Sequence, residues 1–208
     1  MSSTKPLLLV VRHGRTALNE GKPRLRAWED PPIDRMGEMD AEMAAGKLAS
    51  YGPKMVYHSD LLRDTQTGHI IAAKLGNLPA EPDFRFRTAN MGELSGETED
   101  DVRERVLRWY QYPFEPAPSG ESYTQFVNRF MAGIEEKLEM ARGIEAFCPL
   151  VVVTHGRNLA ALHAIYSMIP PETADMPFPG GIGVISANLD GQDSFDFLTS
   201  TEPVQQDA

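Results

Sequence analysis

The sequence predicts an α/β fold of three layers, α/β/α, with a mostly parallel central sheet. Two observations predict it. Short, continuously apolar runs alternate along the chain with segments of helical periodicity, the pattern of a sheet covered on both faces. Two of those runs, "LLLVVRHG" at residues 7–14 and "LVVVTHGRN" at residues 150–158, also end alike, on a histidine followed by glycine.

Each element can be justified in turn. Leu7 to Arg12 is a strand, apolar without alternation and therefore buried on both faces. Residues 19–32 mix glycine, proline and charge without periodicity and form a loop. Asp34 caps a helix that reaches about Tyr51 and stops at Gly52-Pro53, with Met36, Met39, Met43 and Leu48 on or near one face and expected in the core. Met55 to His58 is a second, short strand. Ser59 or Asp60 caps the next helix, which continues to Leu75 and ends at Gly76. Asn77 to Pro82 reads as a turn, and residues 84–93 are ambiguous between strand and loop. "ETEDDVRERVLRWYQ" at residues 97–111 is a helix whose acidic start complements the helix dipole, and "YPFEPAPSG" then breaks the periodicity with three prolines.

Ser122 and Gln125 fit a capping box at the head of a long helix. On it Tyr123, Phe126, Val127, Phe130, Ile134 and Leu138 recur at helical spacing, which predicts a core-facing stripe. Leu150 to Thr154 is a third apolar strand, followed by a helix over Asn158–Ile169. Ile182 to Leu189 and Phe195 to Thr199 are two last strands around an Asp190-Gly191 turn. The chain divides most simply into one domain over residues 1–201, with about 84–122 as a candidate cap or lid, and a flexible tail at 202–208.

Composition narrows the class. With 41% hydrophobic and 24% charged residues the 208-residue chain reads as an ordinary globular protein. The apolar run Leu7 to Val11 is far shorter than the roughly 20 residues that span a bilayer, so we expect no membrane association and a cytoplasmic location. A single cysteine, Cys148, excludes an internal disulfide and reads as a small core residue. A net charge of −10 argues against nucleic-acid partners, which require a basic face. It does not argue against a small anion. In an acidic chain, Arg12, Arg15, Arg24 and Arg26, with Arg63 and Arg157 as further members, would form a local positive cluster. A homodimer is left open.

Both histidines stand where strands end and helices begin, the ligand-binding edge of open α/β sheets. The glycine after each lets the backbone turn or approach a ligand, and a helix N-terminus offers N–H groups to an anion. Arginine beside the first histidine points to phosphate, because a guanidinium matches its oxygens two at a time and keeps its charge. A neutral imidazole in such a clamp is a nucleophile, and attack on phosphorus would give a phosphohistidine. A metal held by His13, His155 and His58 is the competing use of these residues, but HExxH and paired Cys/His spacings are absent. No cofactor is called for. His69 and His163 fall inside helices and read as structural, and Glu121 in "PSGES" reads only as part of a helix start.

Four motifs in order, "RHGRTALN", "SDLLRDTQT", "PSGES" and "VVVTHGRN", resemble the histidine phosphatase superfamily, the phosphoglycerate-mutase-like proteins. The resemblance covers most of the chain and implies the phosphoglycerate-mutase-like fold. It further implies that His13 is the nucleophile, that Arg12, Arg63 and His155 bind the transferred phosphoryl group, and that Thr16 and Asn19 line the pocket with Gly156. Arg15 stands where the family often has glutamate and adds positive charge near the mouth, as would Arg24 and Arg26.

One departure bears on the chemistry. The family's acid glutamate, four residues before the glycine of its "GxxxG"-like stretch, corresponds to Thr88, whose hydroxyl holds its proton too tightly to serve as a general acid. Three accounts stay open: Glu93 turns inward as the acid, the substrate leaves as a stable anion, or the protein is a weakly active or inactive phosphate-binding module. The expectation is a phosphatase acting on a small phosphorylated substrate without metal. A phosphoglycerate-type mutase is the close rival, since the same intermediate passes back to substrate when water is shut out.

Overall fold

Side-chain alternation along the central strands builds the layers. Leu8 and Val10, with Leu150 and Val152, pack into one core, whereas Leu9 and Val11, with Val151 and Val153, pack into the other. A strand buried on both faces needs apolar residues at every position, which is why these runs show no polar alternation. The computed structural model describes residues 5–19, 24–144, 148–188 and 192–198. Its strands are β1 (Lys5–Arg12), β2 (Val56–His58), β3 (Ala80–Pro82), β4 (Leu150–Thr154), β5 (Ile182–Ala187) and β6 (Asp193–Phe197). They form one six-stranded sheet in the order β3-β2-β4-β1-β5-β6. The first four strands are parallel, and β5 and β6 add an antiparallel edge.

Helices α1 (Arg35–Leu48) and α2 (Leu62–Lys74) cover one face. The other is covered by α3 (Glu99–Gln111), α4 (Tyr123–Gly143) and α5 (Gly156–Ser167). The caps follow from short polar side chains. The Asp34 carboxylate accepts from the Gly37 N–H, Thr98 caps α3, and Ser122 and Gln125 form a reciprocal capping box on α4. Phe126, Phe130, Ile134 and Leu138 are buried as their spacing predicts, while Tyr123 and Val127 are half-buried at the margin. Among the described residues no helix is long and apolar enough to cross a membrane.

Several expectations are corrected. Met36, Met39 and Met43 are not core: they are 50%, 48% and 60% exposed. α1 has two faces of helical spacing, and it buries the one made of Gly37, Ala41, Ala44, Ala45 and Leu48. Small residues win because the helix lies close to its neighbours, and a Cβ on Gly37 would come within 2.1 Å of the Arg15 carbonyl oxygen. The segment read as a turn contains β3, an edge strand of three residues, too short and too proline-bounded to show a period. Residues 84–86 and 92–94 are single 3-10 turns, which resolves the ambiguous stretch as loop. Neither Ser59 nor Asp60 is the capping residue of α2. Leu61 takes that position, and the Leu62 N–H donates to the carboxylate of Asp30 from a distant loop. α5 begins two residues before its expected start, directly after His155. Cys148 is half-buried. The Asp190-Gly191 turn and the tail at 202–208 lie outside the described residues.

Candidate active site

β1 and β4 are neighbours with Arg12 level with Thr154, so the next residue of each, His13 and His155, leaves the sheet side by side. The His13 N–H donates to the Thr154 carbonyl at 2.8 Å and carries the pairing one step further. Beyond that point the chain parts in two directions. β1 leads to α1 on one face and β4 leads into α5 on the other. Their carboxyl ends therefore flank a topological switch point, the crevice in which α/β sheets hold ligands.

The two imidazole rings meet there edge to face, with centroids 5.2 Å apart and planes at 68°. Both are buried. His13 Nδ1 lies 2.8 Å from the carbonyl oxygen of Gly14. A carbonyl only accepts, so Nδ1 carries the proton and Nε2 keeps a lone pair. Burial, then the positive charges of Arg63 and Arg12, hold the His13 pKa well below the usual histidine value, which keeps the ring neutral near pH 7.

Arg12, Arg26 and Arg63 line the same cavity, of about 90 Å³, with His13, His155 and Thr88. Each guanidinium is held by backbone or loop oxygens. Arg12 Nη1 donates to the Pro177 carbonyl at 2.6 Å. Arg63, on the first turn of α2, donates to the carbonyls of Glu29 at 2.5 Å and Ala27 at 3.0 Å, and its Nη2 lies 3.3 Å from His155 Nδ1. Arg26 Nη1 donates to the Asn19 carboxamide oxygen at 2.8 Å and to the Thr16 hydroxyl at 3.2 Å. Burial presses on all three charges, and repulsion by neighbouring arginines adds to it at Arg12 and Arg26: the Arg12 pKa is pushed down to about 10, first by burial and then by Arg26. An oxyanion between them would relieve that repulsion.

Glycines make the close approaches. A Cβ on Gly14 would fall 2.2 Å from the Gly37 carbonyl oxygen, so this glycine seats the β1 loop against the start of α1 rather than against a ligand. A Cβ on Gly156 would crowd Met176 at 2.7 Å and the Arg12 guanidinium carbon at 3.1 Å. That glycine lets Arg12 lie across the start of α5, where no side chain caps the first turn.

A family model of the histidine phosphatase superfamily (branch 1) matches residues 8–191. The chain belongs to this superfamily. It is 30% identical over 175 residues to a 2,3-bisphosphoglycerate-dependent phosphoglycerate mutase of Bradyrhizobium sp. (strain BTAi1), covering 80% of this chain and 83% of that protein. It is 32% identical over 158 residues to a probable phosphoglycerate mutase GpmB of Yersinia pestis (strain Pestoides F), covering 74% and 71%. Among solved structures, a mycobacterial glucosyl-3-phosphoglycerate phosphatase complexed with VO3 superposes with a TM-score of 0.78 at 24% identity, covering 93% of this chain and 97% of that one. A phosphoglycerate mutase from Bacillus anthracis gives 0.76 at 20%, covering 94% and 93%. These likenesses agree on the three-layer α/β fold.

Within this member of the superfamily, several residues expected at the pocket lie elsewhere. Glu93 is exposed on a 3-10 turn and accepts a hydrogen bond from the Ser119 hydroxyl at 2.8 Å, so it does not turn into the cavity. The turn that begins at Gly92, in a left-handed conformation, directs it outward. Arg15 faces α1, its N–H donating to Asp40 and its guanidinium near Asp34. Thr16 and Asn19 sit behind the cavity wall and act on it by orienting Arg26. His58 packs under Gly68 and against His69 rather than beside the other two histidines. Arg24 reaches the cavity and donates to the Gly96 carbonyl.

Thr88 does line the cavity. Its loop is fixed by Arg129, which donates to the carbonyls of Arg85, Arg87 and Thr88 and pairs with Glu121. Glu121 also accepts the Asn90 N–H, so its place in the helix-start motif is structural. The carboxylate that does reach the cavity is Glu99, the first residue of α3, which sequence reasoning treated only as a helix-dipole partner. Reasoning from sequence also missed Asp64. It is fully buried, and Oδ2 lies 3.2 Å from His155 Nε2. Motif spacing gave no signal for it, since an aspartate early in a helix is ordinarily a solvated dipole partner.

Proposed function

We propose that the protein is a cytoplasmic phosphatase that hydrolyses a small phosphorylated substrate through a phosphohistidine at His13. The observation that carries this reading is His13 itself: a buried, neutral imidazole with Nδ1 tied to the Gly14 carbonyl and Nε2 unprotonated, among three arginines lining the same cavity. Nε2 attacks phosphorus, and Arg12, Arg26 and Arg63 hold the equatorial oxygens, over which the transition state spreads its charge. Water then attacks the phosphohistidine, and inorganic phosphate leaves.

Beside the cavity lies a second hollow of about 350 Å³, sharing Leu25, Glu99, Arg157 and Met176 with it and walled by Val102, Val106 and Leu107 of α3. It suits the organic part of the substrate, with Arg103 and Arg157 available to a second anionic group. The mutase reading keeps support from the phosphoglycerate mutases that the chain resembles at about one residue in three.

The test is phosphate release from a panel of phosphorylated metabolites spanning esters and anhydrides, run beside an assay for phosphoglycerate isomer interconversion. Released phosphate, together with acid-labile, base-stable label on wild type but not on His13→Ala, is the expected result. Isomerisation without release would transfer the protein to the mutases, and label persisting in the His13 variant would place the nucleophile elsewhere.

A further inference from the structure

Thr88 cannot give the leaving oxygen a proton and Glu93 faces solvent, so neither position weighed from the sequence supplies that step, and Glu99 reaches the cavity only from the side it shares with the second hollow. The structure offers another source. Asp64, on the first turn of α2, is fully buried, and neither of its oxygens has a hydrogen-bond partner of ordinary geometry among the described residues. His155 lies beside it, with Nε2 at 3.2 Å from Oδ2; the Arg63 Nε lies further off, at 3.9 Å, and the backbone N–H of Asp64 itself faces the carboxylate. A buried carboxylate so poorly satisfied is costly to the fold and calls for a reason.

The tautomer of His155 supplies one. Its Nδ1 faces an N–H of Arg63 at 3.3 Å and so keeps its lone pair in the free site, which leaves the ring proton on Nε2, toward Asp64 and the Ser59 hydroxyl at 3.3 Å. When a phosphoryl dianion enters between Arg63 and His155, Nδ1 takes up a proton from solvent as the anion binds and donates it to the entering group. The ring can take that second proton only if a negative charge balances it from behind.

Resting on the phosphatase reading, we infer that Asp64 is a positioning residue that holds the Nε2 proton of His155, so that His155 delivers its Nδ1 proton to the leaving oxygen in place of a carboxylic acid at position 88. In the first step the N–P bond to His13 Nε2 forms, the bond from phosphorus to the leaving oxygen breaks, and that oxygen takes the Nδ1 proton and departs as an alcohol. His155 is left neutral with its Nε2–H still on Asp64. In the second step Nδ1 takes a proton from the attacking water, the N–P bond breaks, phosphate leaves, and Nδ1 returns to solvent the proton that it took up on binding.

Burial raises the proton affinity of Asp64 well above the ordinary carboxylate range, with Asp30 and Asp60 adding to it and Arg63 opposing. Burial also lowers that of His155, helped by Arg63, His13, Arg12 and Arg129.

Asp64→Asn keeps the shape and an acceptor for Nε2–H but removes the charge. With enzyme in excess over substrate, release of the leaving group in a single turnover isolates the first step. Phenyl phosphate, a poor leaving group, should slow by about 100-fold or more, the range of general acid catalysis. 2,4-Dinitrophenyl phosphate, whose anion needs no proton, should slow by less than about threefold. Equal slowing of both would make Asp64 structural and overturn the inference while leaving the phosphatase reading intact. Failure of the wild type to release either leaving group or to take label would end both. A second measurement does not depend on the variant folding. In the wild type bound to metavanadate, nitrogen NMR of the histidines should find both ring nitrogens of His155 protonated, and a singly protonated ring would overturn the inference.

Discussion

Arg63→Met is the substitution whose consequences the structure defines most closely. Methionine fills much of the side-chain volume but removes the guanidinium, which joins the carbonyls of Ala27 and Glu29 to the histidine pair. Two acceptors lose their donor in a place where Arg63 itself is 1% exposed, and each unpaired buried group costs about 1–3 kcal/mol of stability. The loop at 27–30 should loosen accordingly. In the transition state the loss is of a different kind. One preorganised donor aimed at developing negative charge is worth about 2.7–4 kcal/mol, so the single-turnover rate should fall by about 100- to 1,000-fold. Denaturant unfolding measures the first effect, and phosphorylation of His13 with enzyme in excess measures the second. Arg63→Lys separates charge from shape: an ammonium restores positive potential but cannot bridge two carbonyls and a phosphoryl oxygen together, so it should recover only part of the rate. A folded Arg63→Met protein that reacts within about threefold of wild type would refute the reasoning, because no other group could then supply what the geometry assigns to Arg63.

Three more outcomes follow from the site. Thr88→Glu should do little for 2,4-dinitrophenyl phosphate but, in an Asp64→Asn background, should restore phenyl phosphate turnover by about tenfold or more, as a new acid in the cavity; no restoration would mean that position 88 cannot reach the leaving oxygen. Gly14→Ala should lower stability by about 1–3 kcal/mol, measured by thermal unfolding, because the added methyl meets the Gly37 carbonyl at 2.2 Å; an unchanged midpoint would show that the loop and α1 separate freely. Stability should also fall as pH drops below about 6.5. His13 and His155 resist protonation when folded, so the unfolded chain takes up protons that the folded one refuses, at about 1.4 kcal/mol per pH unit for each. Asp64 opposes them at the acid end of that range, where its raised affinity lets the folded chain take up a proton that the unfolded chain releases above about pH 4. Asp64→Asn should therefore steepen the acid loss, and a slope unaffected by that change would contradict the assigned burial.

How much of this could be read in advance depended on what kind of order each residue obeys. The strands and the capping box of α4 were legible because period and cap chemistry are local. The meeting of His13 and His155 was legible only through motif order, since the pairing of β1 with β4 is a contact across more than 140 positions of chain. The methionines of α1 misled because periodicity finds two faces and cannot choose between them; backbone proximity at Gly37 chose. Glu93 was attractive by distance along the chain, yet a single left-handed residue at Gly92 turned it outward. Arg15, Thr16 and Asn19 lie on the loop beside the site but behind the cavity wall, because sequence gives proximity to a loop and not the side a residue faces. Glu99 and Asp64 were invisible for a shared reason: both stand in the first turn of a helix, where an acidic residue needs no further explanation.

The same residues explain how so acidic a protein, with a net charge of −10, keeps a positive cavity. Arg12, Arg26 and Arg63 are anchored by neutral oxygens of the backbone and of Asn19 and Thr16, which fix the guanidinium positions without cancelling their charge. Had carboxylates done the anchoring, the cavity would have been neutral before any ligand arrived. Burial lowers the proton affinity of all three arginines, and carboxylates oppose it only in part: Glu99 and Asp40 at Arg12, Glu99 and Glu29 at Arg26, and Asp64, Asp30 and Glu29 at Arg63. Asp64, behind the histidines, has Oδ2 3.2 Å from His155 Nε2 and 3.9 Å from Arg63 Nε, on the opposite edge of His155 from Arg63 Nη2. A dianion entering the cavity therefore gains the interaction energy that the empty fold forgoes, and a neutral ligand of the same shape gains none of it.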